Sequence, residues 1–117
     1  ADHVEAARLA ADELGLELEH LQSNHEGQIV DAIQGARGRC AAIVINPGAF
    51  PHYAWAIHDA LATFAGPVVE VHLSNPQGRE SWRRTSVVSP VATGTIAGLG
   101  GLGYVLAVKA VARLLDA

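Results

Sequence analysis

Val68-Val69-Glu70-Val71-His72-Leu73-Ser74-Asn75-Pro76-Gln77-Gly78 is the stretch from which the fold can be read. Val68, Val69 and Val71 favour an extended backbone, and Asn75-Pro76-Gln77-Gly78 ends it in turn residues. Along a strand, side chains alternate between faces, so Glu70 and His72 project to the same side. A carboxylate there can steer the imidazole and favour its protonated form, which is the wiring of a general acid. Ser74 and Asn75 add a hydroxyl and an amide, and Arg79, Arg83 and Arg84 follow within a short polar loop.

Outward from this strand, helical and extended patterns alternate. Gly66-Pro67 leads into it from a helix expected over residues 53–64, which follows the break Asn46-Pro47-Gly48-Ala49. Residues 41–45 form an uninterrupted apolar run, the type buried on both faces of a parallel sheet. Before it lies a helix expected over 26–36, with Ser23 or Asn24 as its cap, Glu26 near its positive end, and Gly35 and Gly38 at its close. Val4, Ala7, Leu9, Ala10, Ala11 and Leu14 recur at helical spacing, and Gly15 fits the stop position of that first helix. Residues 16–21 alternate apolar with polar and are expected to form a strand half-buried near a sheet edge. After the polar loop, residues 93–98 read as a strand and 102–115 as the last helix.

Strands alternating with helices predict an α/β protein with right-handed crossovers and helices on both faces of a parallel sheet. Such sheets bind ligands beyond the carboxyl ends of their strands. The polar clusters at 46–52 and 72–84 fall there. The chain opens on a helix and supplies four expected strands, few for two helical layers, so a first, central strand is expected ahead of Ala1.

The length of 117 residues suits a single domain spanning 1–117. Eight basic residues against twelve acidic ones give a net charge of −4, which offers no clustered positive surface for nucleic acid. No apolar run approaches the ~20 residues that cross a bilayer, and the amphipathic start does not read as a secretory signal. The single Cys40 fits a reducing compartment, so a soluble, cytoplasmic domain is expected.

Each candidate group has a bland reading beside the chemical one. A histidine at a strand end is often structural, but Glu70 and Ser74 at two residues either side favour acid chemistry for His72. The backbone N–H groups of Leu73 and Ser74, at an open strand end, suit a carboxylate or oxyanion. Arg79 and Arg84 read as a solvated face, and one arginine of the three suits an oxygen-rich ligand. Asn46 either forms the turn that Asn-Pro favours or offers its amide to a ligand. His52, His58, Asp59 and His72 raise a metal question, but no pair has the helical spacing of a zinc motif. Gly98-Leu99-Gly100-Gly101-Leu102-Gly103 matches a dinucleotide fingerprint by spacing, yet it lies too near the chain end for the strand and acid that complete one. Close helix–sheet packing is the better reading of those glycines. Lys109, the only lysine, lies in an apolar helix pattern and is a poor nucleophile candidate.

At these residues the chain resembles the type II 3-dehydroquinate dehydratases. The matching stretches are Gln22-Ser23-Asn24-His25-Glu26-Gly27, Ile45-Asn46-Pro47-Gly48-Ala49-Phe50, His52 with Asp59, and Glu70-Val71-His72-Leu73-Ser74-Asn75. Arg79-Glu80 with Arg83, Ser89-Pro90-Val91-Ala92-Thr93-Gly94, and Gly98-Leu99-Gly100 with Gly103-Tyr104 continue the match collinearly. The resemblance implies a flavodoxin-like three-layer sandwich and a dodecamer built from trimers. It implies removal of water from 3-dehydroquinate through an enolate, without a cofactor, in aromatic biosynthesis or quinate breakdown. It assigns His72 as general acid, with Glu70 supporting it. Asn46 would complete the catalytic set and hold the substrate carboxylate with the Leu73 and Ser74 amides. His52 and Arg83 would hold ring hydroxyls, and Asp59 would reach a neighbouring subunit's site.

The chain departs from that pattern at Pro51, Ala54, His58 and Trp82, where the family has threonine, serine, arginine and phenylalanine. The family's opening strand and its loop with an arginine and the tyrosine base have no match after Ala1, and neither Tyr53 nor Tyr104 takes that place. Two other readings compete. One is a non-catalytic flavodoxin-like module for a small carboxylated or phosphorylated ligand; the other is a dinucleotide oxidoreductase resting on the last glycines.

Overall fold

The structure is a computed structural model that describes residues 2–48, 55–75, 78 and 86–116. In chain order the elements are α1 (Asp2–Glu13), α2 (Glu26–Ala36), β1 (Ile43–Ile45), α3 (Trp55–Ala62) and β2 (Val68–His72), followed by a 3₁₀ turn (Ser89–Val91), β3 (Gly94–Ala97) and α4 (Leu102–Asp116). The three strands form a parallel sheet in the order β1-β2-β3. The expected α/β alternation is therefore present, with element ends differing from the sequence reading by a residue or two.

Strand alternation divides the core into two faces. Val69 and Val71 of β2 pack under Ala107 and Val111 of α4. Beyond them, Ala7, Ala10 and Ala11 of α1 meet Val108 of α4, and small side chains let the two helices lie close. On the opposite face Ile45 and Val68 pack with Ile33 and Ala36 of α2, Ile57, Ala60 and Leu61 of α3, and Phe64, Val87 and Val88. Helices thus cover both faces, and β2 runs through the middle.

Gly15 is the stop of α1. Its φ is +73°, its N–H bonds to the Asp12 carbonyl, and the Leu16 N–H bonds to that of Ala11. This is the double closure that a left-handed residue allows. Gly38, at φ +74°, follows α2 in a different turn: Arg37 is extended and the Arg39 and Cys40 N–H groups bond to the Ala36 carbonyl, whereas Gly35 lies inside the helix.

Two expectations are corrected. Residues 16–21 form no strand. Their alternation is real, since Leu16 and Leu18 turn toward the α1–α4 cluster while Glu17 and Glu19 face solvent. A strand also needs a ladder partner, and among the described residues this segment has none. It is tied down by side chains instead: Arg8 Nη1 donates to the Leu18 carbonyl at 3.4 Å, and Glu19 pairs with Arg39. The second correction concerns α2. Its cap position is taken by His25, which makes no side-chain cap bond. Ser23 lies two residues too early; its Oγ accepts the His25 N–H at 3.0 Å and bonds Gln28.

Candidate active site

Register sets the site. Glu70 lies beside Ile45 of β1 and Thr95 of β3, and His72 lies beside Ala97. Val69 and Val71 point to α4, so Glu70 and His72 share the other face, as the period of the strand requires. Glu70 is 0% exposed, a carboxylate set inside the protein. Such burial costs several kcal/mol unless the charge is paired and its lone pairs are filled. Both conditions are met. His72 Nε2 lies 2.5 Å from Oε2, and Ser86 Oγ donates to the same oxygen at 3.0 Å. Ser89 Oγ donates to Oε1 at 2.7 Å, and Thr95 Oγ1 lies at 3.4 Å from it. Burial pushes the Glu70 carboxyl upward, but the bonds from His72, Ser89 and Ser86, with the charge on His72, outweigh it and hold the group below its ordinary value.

His72 itself is nearly covered, with 12% of its side chain exposed. Leu73, Ser74 and Asn75, which follow it, are exposed. The Gly98 N–H bonds the His72 carbonyl at 3.2 Å, and the Gly100 N–H bonds the Leu73 carbonyl at 2.9 Å. In a trans peptide the N–H points opposite to the C=O. The Leu73 and Ser74 amides therefore face away from the Gly98–Gly100 turn. Gly98 and Gly100 have φ of +84° and +59°, and a Cβ on Gly98 would come within 3.4 Å of Asn75. That turn and the end of β2 are fitted to each other.

Asn46 follows β1 at the same end of the sheet. Its Nδ2 donates to Tyr104 Oη at 2.7 Å, and its Oδ1 accepts the Gly48 N–H at 3.2 Å. The turn reading of Asn46 is thus realised, and Tyr104 fixes which way the amide is presented. Asp59 is exposed on α3. His58 beside it has Nδ1 2.5 Å from the Val87 carbonyl and its ring 5.1 Å from that of Trp55. It therefore clamps α3 to the segment carrying Ser86 and Ser89. Gly103 is buried, and a Cβ there would meet Val71 Cγ1 at 3.0 Å. The last glycine of the fingerprint-like run thus serves helix–sheet packing. His52, Arg79, Arg83 and Arg84 lie outside the described residues.

Sequence reasoning missed the groups that hold Glu70 and Asn46. Ser86, Ser89 and Thr95 stand 16, 19 and 25 residues from Glu70, and Tyr104 stands 58 from Asn46. Ser89 belongs to a matched stretch but carried no role there. Strand register brings Thr95 to the carboxylate, and the segment before β3 brings Ser86 and Ser89.

A carboxylate wired to an imidazole, at the carboxyl end of the middle strand of a parallel sheet, defines an α/β protein equipped for proton transfer. The family model for dehydroquinase class II matches residues 1–112, and the chain belongs to that family. It is 51% identical over 116 residues to 3-dehydroquinate dehydratase 2 of Pseudomonas putida, covering 99% of this chain and 78% of that protein. It is 53% identical over 112 residues to catabolic 3-dehydroquinase 1 of Aspergillus terreus, covering 96% and 74%. Among solved structures, the type II dehydroquinase of Propionibacterium acnes superposes with a TM-score of 0.91 at 43% identity, covering 96% of this chain and 77% of that one.

Proposed function

We propose that the chain is a 3-dehydroquinate dehydratase, in which His72 protonates the hydroxyl that leaves 3-dehydroquinate as water. The observation that carries this reading is the contact between His72 Nε2 and the fully buried Glu70. Expelling hydroxide from carbon is slow; delivering a proton to the departing oxygen removes that barrier, and a positioned acid is worth roughly 10²–10⁴ in rate. The buried carboxylate orients the imidazole before reaction. After the proton leaves, it keeps the neutral ring in one tautomer.

The rest of the site follows from the same strand ends. Asn46 and the amides of Leu73 and Ser74 would receive the substrate carboxylate. Support comes from the orientation of the two peptide planes and from Tyr104 aligning Asn46. His52 and Arg83 would take ring hydroxyls, and Asp59 would contribute across a contact in a trimer-based dodecamer. The relatives named as 3-dehydroquinate dehydratase and catabolic 3-dehydroquinase support the substrate.

Following the conjugated product by ultraviolet absorbance tests the activity directly. His72→Ala in the full-length protein is expected to lower kcat by about 10²–10⁴ with the fold retained. Near-normal turnover in that variant would remove His72 from the acid role.

A further inference from the structure

We propose that Ser86 and Ser89 are positioning residues that hold Glu70 as an acceptor-only carboxylate, fix a hydrogen on His72 Nε2, and leave Nδ1 to give up the reacting proton. For the identity of the reacting partner this rests on the dehydratase reading; the hydrogen-bond network itself does not.

A serine hydroxyl has one hydrogen and two acceptor sites. Ser86 Oγ accepts the Val88 N–H at 3.2 Å and the Ser89 N–H at 3.1 Å, which fills both. Its one hydrogen is then directed to Glu70 Oε2. Ser86 cannot turn round to accept from a protonated carboxyl. The same two bonds fold the backbone so that Ser89 Oγ reaches Oε1. With donors on both oxygens, the ionised carboxyl is favoured, and the hydrogen between Oε2 and Nε2 belongs to nitrogen. A histidine whose Nε2–H is held this way works through Nδ1.

In the elimination step the C–O bond breaks with its electron pair on oxygen. The imidazolium Nδ1–H proton passes to that oxygen, its bonding pair stays on nitrogen, and water departs. The enolate pair re-forms C=O as the C=C bond forms. His72 is left neutral with hydrogen on Nε2, and Nδ1 regains a proton from solvent.

Among the described residues, few other ionisable groups face the pair. β1, β3 and the Ser89–Val91 turn carry none; on the same face α3 carries His58, on the Val87 carbonyl, and the exposed Asp59, and α2 carries Glu26 and the exposed Asp31, while α4 with Tyr104 covers the opposite face.

The test uses the full-length protein and the variants Ser86→Ala, Ser89→Ala, Ser86→Thr and Ser89→Thr. The pH dependence of kcat on 3-dehydroquinate is measured with the ¹³C titration of the Glu70 carboxyl and the ring ¹⁵N shifts of His72. Loss of either hydroxyl is expected to lower kcat about tenfold and to move the acid limb and the Glu70 titration up by about one pH unit. Threonine should restore both, and neutral His72 should carry its hydrogen on Nε2. If Ser86→Ala disturbs the backbone it caps, Ser89→Ala decides, because its described side-chain bond runs to Glu70 alone. An equal loss at every pH with the acid limb unmoved would overturn the proposal, as would hydrogen on Nδ1 in the neutral wild-type ring. Wild-type protein without dehydration activity but with the shifted Glu70 titration would sink the dehydratase reading and leave the network standing.

Discussion

Glu70 carries its charge where water does not reach, and its stability contribution must therefore depend on pH. Its folded-state value lies below the ordinary carboxyl value of 4.5, despite the opposing effect of burial. A group shifted in this direction stabilises the native state above the unfolded value, and that stabilisation is lost as pH falls through the folded one. Glu70→Gln removes the titration but keeps the shape. Its oxygen can accept from Ser86 and His72, while Ser89 and Thr95 can rotate to accept from the new amide. Urea midpoints of the wild type and Glu70→Gln should therefore converge as pH falls below 4.5, the wild type losing more. Curves that stay parallel across that range would mean the carboxylate is not what its surroundings stabilise.

The pairing of Glu70 with His72 was legible because it is local: two residues apart on a strand means one face. The roles of Ser86, Ser89 and Thr95 were not, since nothing in the spacing of a loop serine says which strand it will meet. Asn46 shows both limits at once. Its turn could be read from Asn-Pro, but the tyrosine that orients its amide comes from the far end of the chain.

Elements meet most tightly where glycines stand. A Cβ on Gly66 would lie 2.1 Å from the Ala41 carbonyl oxygen, just where the turn before β2 passes the residues before β1. The contact is to backbone, and the Ile43 N–H is bonded to the Pro67 carbonyl at 2.9 Å, so neither side can easily give way. Gly66→Ala should cost about 1–3 kcal/mol through this overpacking, read as a lowered urea midpoint with an unchanged slope. A variant as stable as wild type would show that the turn can move aside. The helices and strands themselves were legible from periodicity, which is a short-range signal. Residues 16–21 mark where that signal stops: they keep the alternation of a strand and lack the ladder, because pairing depends on a neighbour rather than on the segment's own composition.

At the scale of the whole molecule, β2 is the protected centre. It is flanked by β1 and β3 and covered by α4 on one face and by α2 and α3 on the other. Val68, Val69 and Val71 are buried to 3% or less, whereas Gly94 and Thr95 at the start of β3 are exposed. Amide hydrogen exchange should be slowest along β2 and faster at the start of β3, since local opening tracks burial. Equal protection in the two strands would contradict this picture. The arrangement places the candidate acid on the strand that is covered on both faces, with Leu73, Ser74 and Asn75 exposed at its end.

What the sequence determined by itself was everything set by neighbours along the chain: the α/β alternation, the stop at Gly15, the shared face of Glu70 and His72, and the polar residues gathered after the strands. Tertiary structure alone decided which hydroxyls fill the lone pairs of Glu70, which phenol aligns Asn46, and which extended segment finds a partner. The physical reason is range. Periodicity and turn chemistry act over a few residues, while hydrogen bonds across a parallel sheet join residues whose distance in sequence carries no trace of their contact.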